Sequence, residues 1–324
     1  MRLLLALLCA FSVVPATISA QSFPQLPEAQ RLAQLQPPSG PVTAVLDTDT
    51  YNEIDDQFAL VYALLSPEQM TIEAIYAAPF LNDRSASAAD GMEKSYEEIL
   101  RLLDKMKRPA EGLVHRGSAG FLESLDKPLE SDATRDLIRR AQAAEGPLYV
   151  LTVGAPTNVA SALLLEPSIV NKIVVVWLGG KGLNWPSASE FNLQQDVLAS
   201  QVLFDSGVPL IQLPTEPVTS HLLTTVPEVE TYLAGKGEIG DYLVQIFKDY
   251  HQDHFAWSKV IWDISAVAYL IDATWFKTEV RSTPLLTDEL TYRFDDSRPP
   301  YRVATYVRRD PVYQDMFRKI EKAF

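Results

Sequence analysis

Ile173-Val174-Val175-Val176-Trp177-Leu178 is an unbroken apolar run closed by Gly179-Gly180. A strand with one wet face alternates apolar and polar residues, so an unbroken run belongs to a strand covered on both sides. Thr43–Leu46, Thr71–Ala78, Leu148–Val153 and Val208–Leu213 have similar character, and stretches of helical period separate them. Ile54–Leu65 reads as a helix. Gly91–Met106 reads as another, with acids early and Lys/Arg late, as the helix dipole favours. A third is expected to open near Pro156, a residue suited to the first helical turn. Buried strands alternating with helices predict an α/β fold, a single large domain whose mainly parallel central sheet is covered by helices. At 324 residues the chain is long enough for two domains of ~150 residues. No internal repeat or low-complexity linker divides it, so one domain over 43–324 is expected. Ligands of such sheets gather at the carboxyl ends of the strands.

The first twenty residues are a separate object. Arg2 precedes the apolar run Leu3–Val14, which ends in Pro15-Ala16-Thr17-Ile18-Ser19-Ala20. A basic start, a short apolar core and a small residue before cleavage form the pattern of a secretory signal, with cleavage expected near Ala20–Gln21. The run is short for a membrane span, and no later stretch approaches the ~20 apolar residues one needs. Cleavage removes Cys9, the single cysteine, so thiol nucleophiles, thiolate metal sites and disulfides are excluded from the mature chain. The expected compartment is the periplasm or beyond the cell. Residues 21–42, rich in Gln and Pro, read as an N-terminal arm of little periodicity. A net charge of −14 argues against a nucleic-acid partner, which needs a basic face to neutralise phosphates.

Chemistry concentrates after the first strand. Val45-Leu46-Asp47-Thr48-Asp49-Thr50-Tyr51-Asn52-Glu53-Ile54-Asp55-Asp56-Gln57-Phe58-Ala59-Leu60 places Asp47, Asp49, Glu53, Asp55 and Asp56 between a strand end and a helix start. Without a counter-ion such carboxylates repel, and some stay protonated. A hard divalent cation, Ca²⁺ or Mg²⁺, resolves the conflict because it takes oxygen ligands. A helix N-terminus accounts for Asp55 and Asp56 alone, not for Asp47 and Asp49.

Two families share part of this pattern. Asp47-Thr48-Asp49-Thr50 after an apolar strand looks like the first motif of haloacid-dehalogenase-type phosphatases, in which the first Asp is the nucleophile beside Mg²⁺. The whole loop resembles the inosine–uridine type of nucleoside hydrolase, whose first strand ends in Asp-Thr-Asp ahead of Asp-Asp and an Ala-Leu helix. Four later segments are similar to that second family. They are Leu151-Thr152-Val153-Gly154-Ala155-Pro156-Thr157-Asn158, the strand ending in Gly179-Gly180, Asn184-Trp185-Pro186-Ser187-Ala188-Ser189-Glu190-Phe191-Asn192 with Asp196 following, and Trp262-Asp263 before Ala266-Val267-Ala268. Leu203-Phe204-Asp205-Ser206-Gly207-Val208-Pro209 matches the link between the last two of them. For the phosphatase, only Lys181 and Asp295-Asp296 stand as loose partners.

The resemblance implies a Ca²⁺ ion held by Asp49, Asp56, Asp263 and the Val153 carbonyl oxygen, with substrate hydroxyls and water completing the shell. It implies that Asp49 is the general base and that Asp55 accepts a hydrogen bond from a ribose hydroxyl. Asn82, Asn184, Glu190 and Asn192 resemble the family's other sugar contacts, and Asp47 an orienting residue behind the site. The implied substrate is a small-molecule nucleoside, and the family tends toward homodimers and homotetramers. No nucleic acid and no membrane span is expected.

Three departures qualify the resemblance. The family's short Pro-Gly-containing loop is replaced by the longer Thr50–Ile54, so Tyr51, Asn52 or Glu53 comes within reach of substrate. Trp262 stands where many members have a histidine, which resembles the purine-preferring subgroup that stacks aromatic rings on the base. Trp185, Trp257 and Phe121 are alternative second walls. The third departure is the lack of the His-Gly that often follows the third strand. His115 matches it poorly, and His251 and His254 share a helical face at i, i+3 spacing. Three readings follow: a secreted Ca²⁺-dependent, purine-preferring ribonucleoside hydrolase, a Mg²⁺-dependent phosphatase acting through Asp47, and a non-catalytic Ca²⁺-dependent ribosyl-binding protein.

Overall fold

A computed structural model describes residues 23–324. The expected signal at 1–20 lies outside the described residues. The chain builds an eight-stranded sheet from β1 (Val42–Thr48), β2 (Met70–Ala77), β3 (Val114–Arg116), β4 (Leu148–Thr152), β5 (Ile173–Leu178) and β6 (Leu210–Leu213), followed by strands Phe276–Ser282 and Pro300–Val307. The spatial order is β3-β2-β1-β4-β5-β6, then Pro300–Val307, then Phe276–Ser282 at the edge. Every pairing is parallel except the last, where Phe276–Ser282 runs antiparallel to Pro300–Val307.

The order reverses between β1 and β4. From β1 the chain winds outward through β2 and β3, then returns to the other side of β1 for β4, β5 and β6. Crossovers leaving in opposite directions open a crevice at the carboxyl ends of β1 and β4. Asp47 pairs with Thr152 in this register, so the acidic loop and Val153 emerge side by side.

Both faces of the sheet are covered, and β5 shows why its sequence has no polar alternation. Val174, Val176 and Leu178 enter one core with Phe58, Tyr269 and Phe247, while Ile173, Val175 and Trp177 enter the other with Phe204 and Tyr301. Helix Asp55–Leu64, with all ten residues buried, packs on the first face and starts at the crevice. Its two N-terminal acids sit where the helix dipole favours negative charge. Helix Ala88–Lys105 begins earlier than the periodicity indicates because Ser87 caps it, its side chain accepting from Asp90 N at 3.1 Å. The strand expected from Val208 starts at Leu210, after Gly207 turns the chain with a φ of +74°.

The arm is a packed element. Helix Glu28–Gln34 buries Arg31, whose Nη1 donates to the Gly207 carbonyl at 2.5 Å. Leu35 is fully buried, and Arg302 Nε donates to its carbonyl at 2.6 Å. These partners lie far away in sequence, which is why the segment shows no local signal.

Candidate active site

Four aspartates converge at the crevice. Asp49 follows β1, Asp55 and Asp56 open helix Asp55–Leu64, and Asp263 stands just before helix Ile264–Ile271. Carboxylate oxygens of Asp55, Asp56 and Asp263 lie within 4.8 Å of one another. Asp56 Oδ1 accepts from the Thr48 hydroxyl, which also bonds Thr50 Oγ1 at 2.7 Å. Asp55 Oδ2 accepts from the Trp262 backbone N–H at 3.2 Å. Both oxygens of Asp49 and Oδ2 of Asp56 are buried without a hydrogen-bond partner. Gly154 makes room for Asp49: a Cβ there would lie 2.9 Å from the carboxylate carbon.

Burial and mutual repulsion lift all four groups. Asp49 and Asp263 are held well above the usual carboxylate range by desolvation, then by neighbouring aspartates. Desolvation likewise raises Asp56, with the Asp55 charge adding to it, and raises Asp55 against the pull of Lys259. Carboxylates buried at this cost stay ionised together only where a cation offsets them. An all-oxygen set in which three buried oxygens lack partners suits a hard divalent ion. The buried aspartate cluster therefore fits a metal site.

Beside the cluster lies a cavity of about 270 Å³. Asn52, Glu53, Asp55, Val153, Glu190, Phe191, Asn192, Trp262 and Asp263 are among its walls. Asn192 Nδ2 donates to the carbonyls of Val153 at 2.8 Å and Leu178 at 3.1 Å, tying the ends of β4 and β5 together. Glu190 caps the short helix that follows, accepting from the backbone N–H groups of Asn192, Leu193 and Gly180 at 3.0, 3.2 and 2.9 Å. Burial nevertheless pushes its carboxyl up to about 7.

Two of the sequence-derived sugar contacts lie elsewhere. Asn82 stands behind Asn52, its Nδ2 donating to the Asn52 carbonyl at 3.1 Å and Oδ1 at 2.9 Å, and does not line the cavity. Asn184 is exposed and lines a separate groove with Trp185. Asp196 caps helix Val197–Asp205 and binds Thr157 Oγ1 at 2.7 Å.

The histidine expectation is corrected. The helix Gly237–Asp249 ends before His251 and His254, which pack around Trp257 in the following loop. The Tyr250 amide closes the last turn on Ile246, so the i, i+3 spacing places them on no helical face. His115 packs on Tyr76, with Nε2 3.5 Å from Asp136. Neither Phe121 nor Trp257 reaches the cavity; the second ring there is Phe191. Its signal was its place between Glu190 and Asn192. Lys259, ion-paired with Glu53, was also missed, since nothing local marks a partner 206 residues away.

Asp47 is unsuited to act as a nucleophile. Fully buried, it receives Thr152 Oγ1 at 2.9 Å on one oxygen and Asn158 Nδ2 at 2.8 Å on the other. Lys181 pairs with Glu216 at 2.9 Å, and Asp295 binds Ser297 in an exposed turn. The phosphatase reading loses its residues. Desolvation holds the Asp47 carboxyl up at about 7, and its bonds orient the end of β1.

Fold and site define a class: a mainly parallel α/β sheet presenting, at its topological switch point, a buried aspartate cluster that fits a metal. The sequence profile of the inosine-uridine preferring nucleoside hydrolase family matches residues 44–314, and the chain belongs to that family. Among curated relatives, the pyrimidine-specific ribonucleoside hydrolase RihA of Salmonella agona is 28% identical, covering 70% of this chain and 79% of its own. The fold is similar to a purine-preferring ribonucleoside hydrolase from Gardnerella vaginalis, with a TM-score of 0.70 at 21% identity, over 87% of this chain and 98% of that one. A plant nucleoside hydrolase superposes with a TM-score of 0.69 at 19% identity, covering 87% and 99%.

Proposed function

We propose that this protein hydrolyses the N-glycosidic bond of ribonucleosides, releasing free base and ribose, with Ca²⁺ as the ion. The observation that carries the reading is the buried aspartate cluster, whose Asp55 and Asp263 line a cavity of about 270 Å³ while both oxygens of Asp49 are left without partners. Asp49, Asp56, Asp263 and the Val153 carbonyl are the proposed ligand set, and the carboxylate oxygens that lie within 4.8 Å of one another are those of Asp55, Asp56 and Asp263. When bound, the ion would lower the pKa of a water and engage the ribose hydroxyls. Asp49 then takes the proton of the attacking water as general base. Asp55 accepts a hydrogen bond from a ribose hydroxyl, and Glu190 and Asn192 contact the rest of the sugar. Positive charge develops on the sugar in an oxocarbenium-like transition state, and the surrounding acids favour it.

Purine preference is the finer part of the proposal. Trp262 and Phe191 line the cavity, and no histidine does so among the described residues. Aromatic faces without an imidazole acid favour a base that takes its proton from water. Residues 1–20 support work in the periplasm or outside the cell, where nucleosides would be scavenged. The test is chromatographic detection of free base from a mixed ribonucleoside panel, with Ca²⁺ and with EDTA. Release from inosine, adenosine or guanosine, abolished by EDTA, is the expected result. Release from uridine or cytidine alone would keep the hydrolase and sink the purine preference. Tight nucleoside binding without turnover would return the protein to the ribosyl-binding reading.

A further inference from the structure

Thr50–Ile54, the segment longer than its family's pattern, is held from outside by two cations. Tyr51 has a φ of +125°, a backbone region that L residues rarely adopt, so the segment depends on its neighbours. Arg84 Nη1 donates to the carbonyls of Tyr51 at 3.3 Å and Glu53 at 3.0 Å. Its guanidinium carbon lies 5.7 Å from the ring centres of both Tyr51 and Tyr250. Among the described residues Arg84 forms no ion pair, so its charge is committed to loop carbonyls and aromatic faces. Buried Lys259 pairs with the Glu53 carboxylate and sits 4.6 Å from the centre of the same Tyr250 ring. Between these ties, Asn52 and Glu53 form part of the cavity wall.

We infer that Arg84 and Lys259 are positioning residues that hold Thr50–Ile54 against the cavity, so that Asn52 and Glu53 contact the bound ribosyl compound. The inference rests on the hydrolase reading and adds to it a substrate-facing loop of this chain's own. Glu53 uses Oε2 for Lys259, which leaves Oε1 to accept from a substrate hydroxyl or base N–H. The wall also holds Asp55, Glu190, Glu216 and Asp263, and its one lysine, Lys181, is paired with Glu216.

The experiment compares the wild-type protein with Arg84→Ala, Arg84→Lys, Lys259→Met and the Arg84→Ala/Lys259→Met double variant. It reads kcat and KM for inosine, Ca²⁺ affinity, and amide hydrogen exchange of residues 50–54 without substrate. Arg84→Ala should raise KM about tenfold while kcat stays within about threefold, since the loop binds substrate but does not touch the water. Exchange at 50–54 should quicken, and Arg84→Lys should recover part of the KM. The double variant should raise KM by less than the product of the single effects, because both free the same loop. An unchanged KM in Arg84→Ala, unchanged exchange at 50–54, or a matched loss of kcat and Ca²⁺ affinity overturns the inference. If wild type releases no base from any nucleoside, the hydrolase reading fails by itself. Inosine dissociation constants and loop exchange then decide the positioning role by the same criteria.

Discussion

At the residue scale, the site depends on where single carboxylates are allowed to sit. The Asp49 carboxylate oxygens have no hydrogen-bond partner, and the missing side chain of Gly154 leaves the carboxylate its room. Gly154→Ala places a methyl 3.0 Å from Asp49 Oδ1 and must displace the carboxylate. Turnover should fall about 100-fold, the scale of a 1 Å misplacement, with little change in melting temperature. Steady-state kinetics beside a thermal melt checks this, and normal turnover would remove Asp49 from the chemistry. Trp262→Ala separates stacking from ligation. If the ring stacks on the base, purine turnover should drop roughly 10- to 100-fold, the value of one base–aromatic contact, with Ca²⁺ affinity unchanged. Equal losses of both would mean collapse of the site around Asp263. Much of this cluster was legible in the sequence, because Asp49, Asp55 and Asp56 crowd one strand–helix junction. Lys259 and Arg84 were not, since their partners are backbone carbonyls and an acid brought close only by the fold.

At the scale of elements, the legible ones were those whose burial is uniform. β5 has the bounds its apolar run announces, because both its faces are core. The strand Pro300–Val307 gives no such signal. It lies inside the sheet yet carries Arg302, whose guanidinium serves the Leu35 carbonyl, Thr278 Oγ1 at 2.7 Å and the Gln36 side chain. Its donors are met by neutral acceptors that no local window contains, and these include the arm. Helix Glu28–Gln34 and Leu35 thus close one edge of the core rather than trail from it. Leu35→Ala should cost about 2–5 kcal/mol of stability, as a fully buried leucine does, without altering kcat. Denaturant unfolding together with an activity assay decides it. A loss under about 0.5 kcal/mol, the level of an exposed site, would mean the arm is not docked in solution.

At the scale of the whole molecule, the acids at the switch point make stability depend on pH and on the cation together. Burial holds the carboxyls of Asp47 and Glu190 up at about 7, and raises Asp49, Asp55, Asp56 and Asp263 as well. Unfolded, these groups lose their protons near pH 4. Between pH 4 and about 7 the folded chain therefore binds more protons than the unfolded one, and its stability falls as pH rises. In EDTA the melting temperature should drop by roughly 5–10 °C from pH 5 to pH 8, a few kcal/mol for a domain of this size. A divalent ion binds the ionised carboxylates and reverses the balance. At about 100 times its dissociation constant it adds about 2.7 kcal/mol, enough to recover most of that loss at pH 8 and little at pH 5, where protons compete. Calcium, magnesium and EDTA titrations of the melting temperature across this range measure the effect directly. Curves at pH 8 that coincide with and without the ions would show that the aspartates share protons rather than a metal. A gain with calcium well above that with magnesium would identify the ion the site is built for.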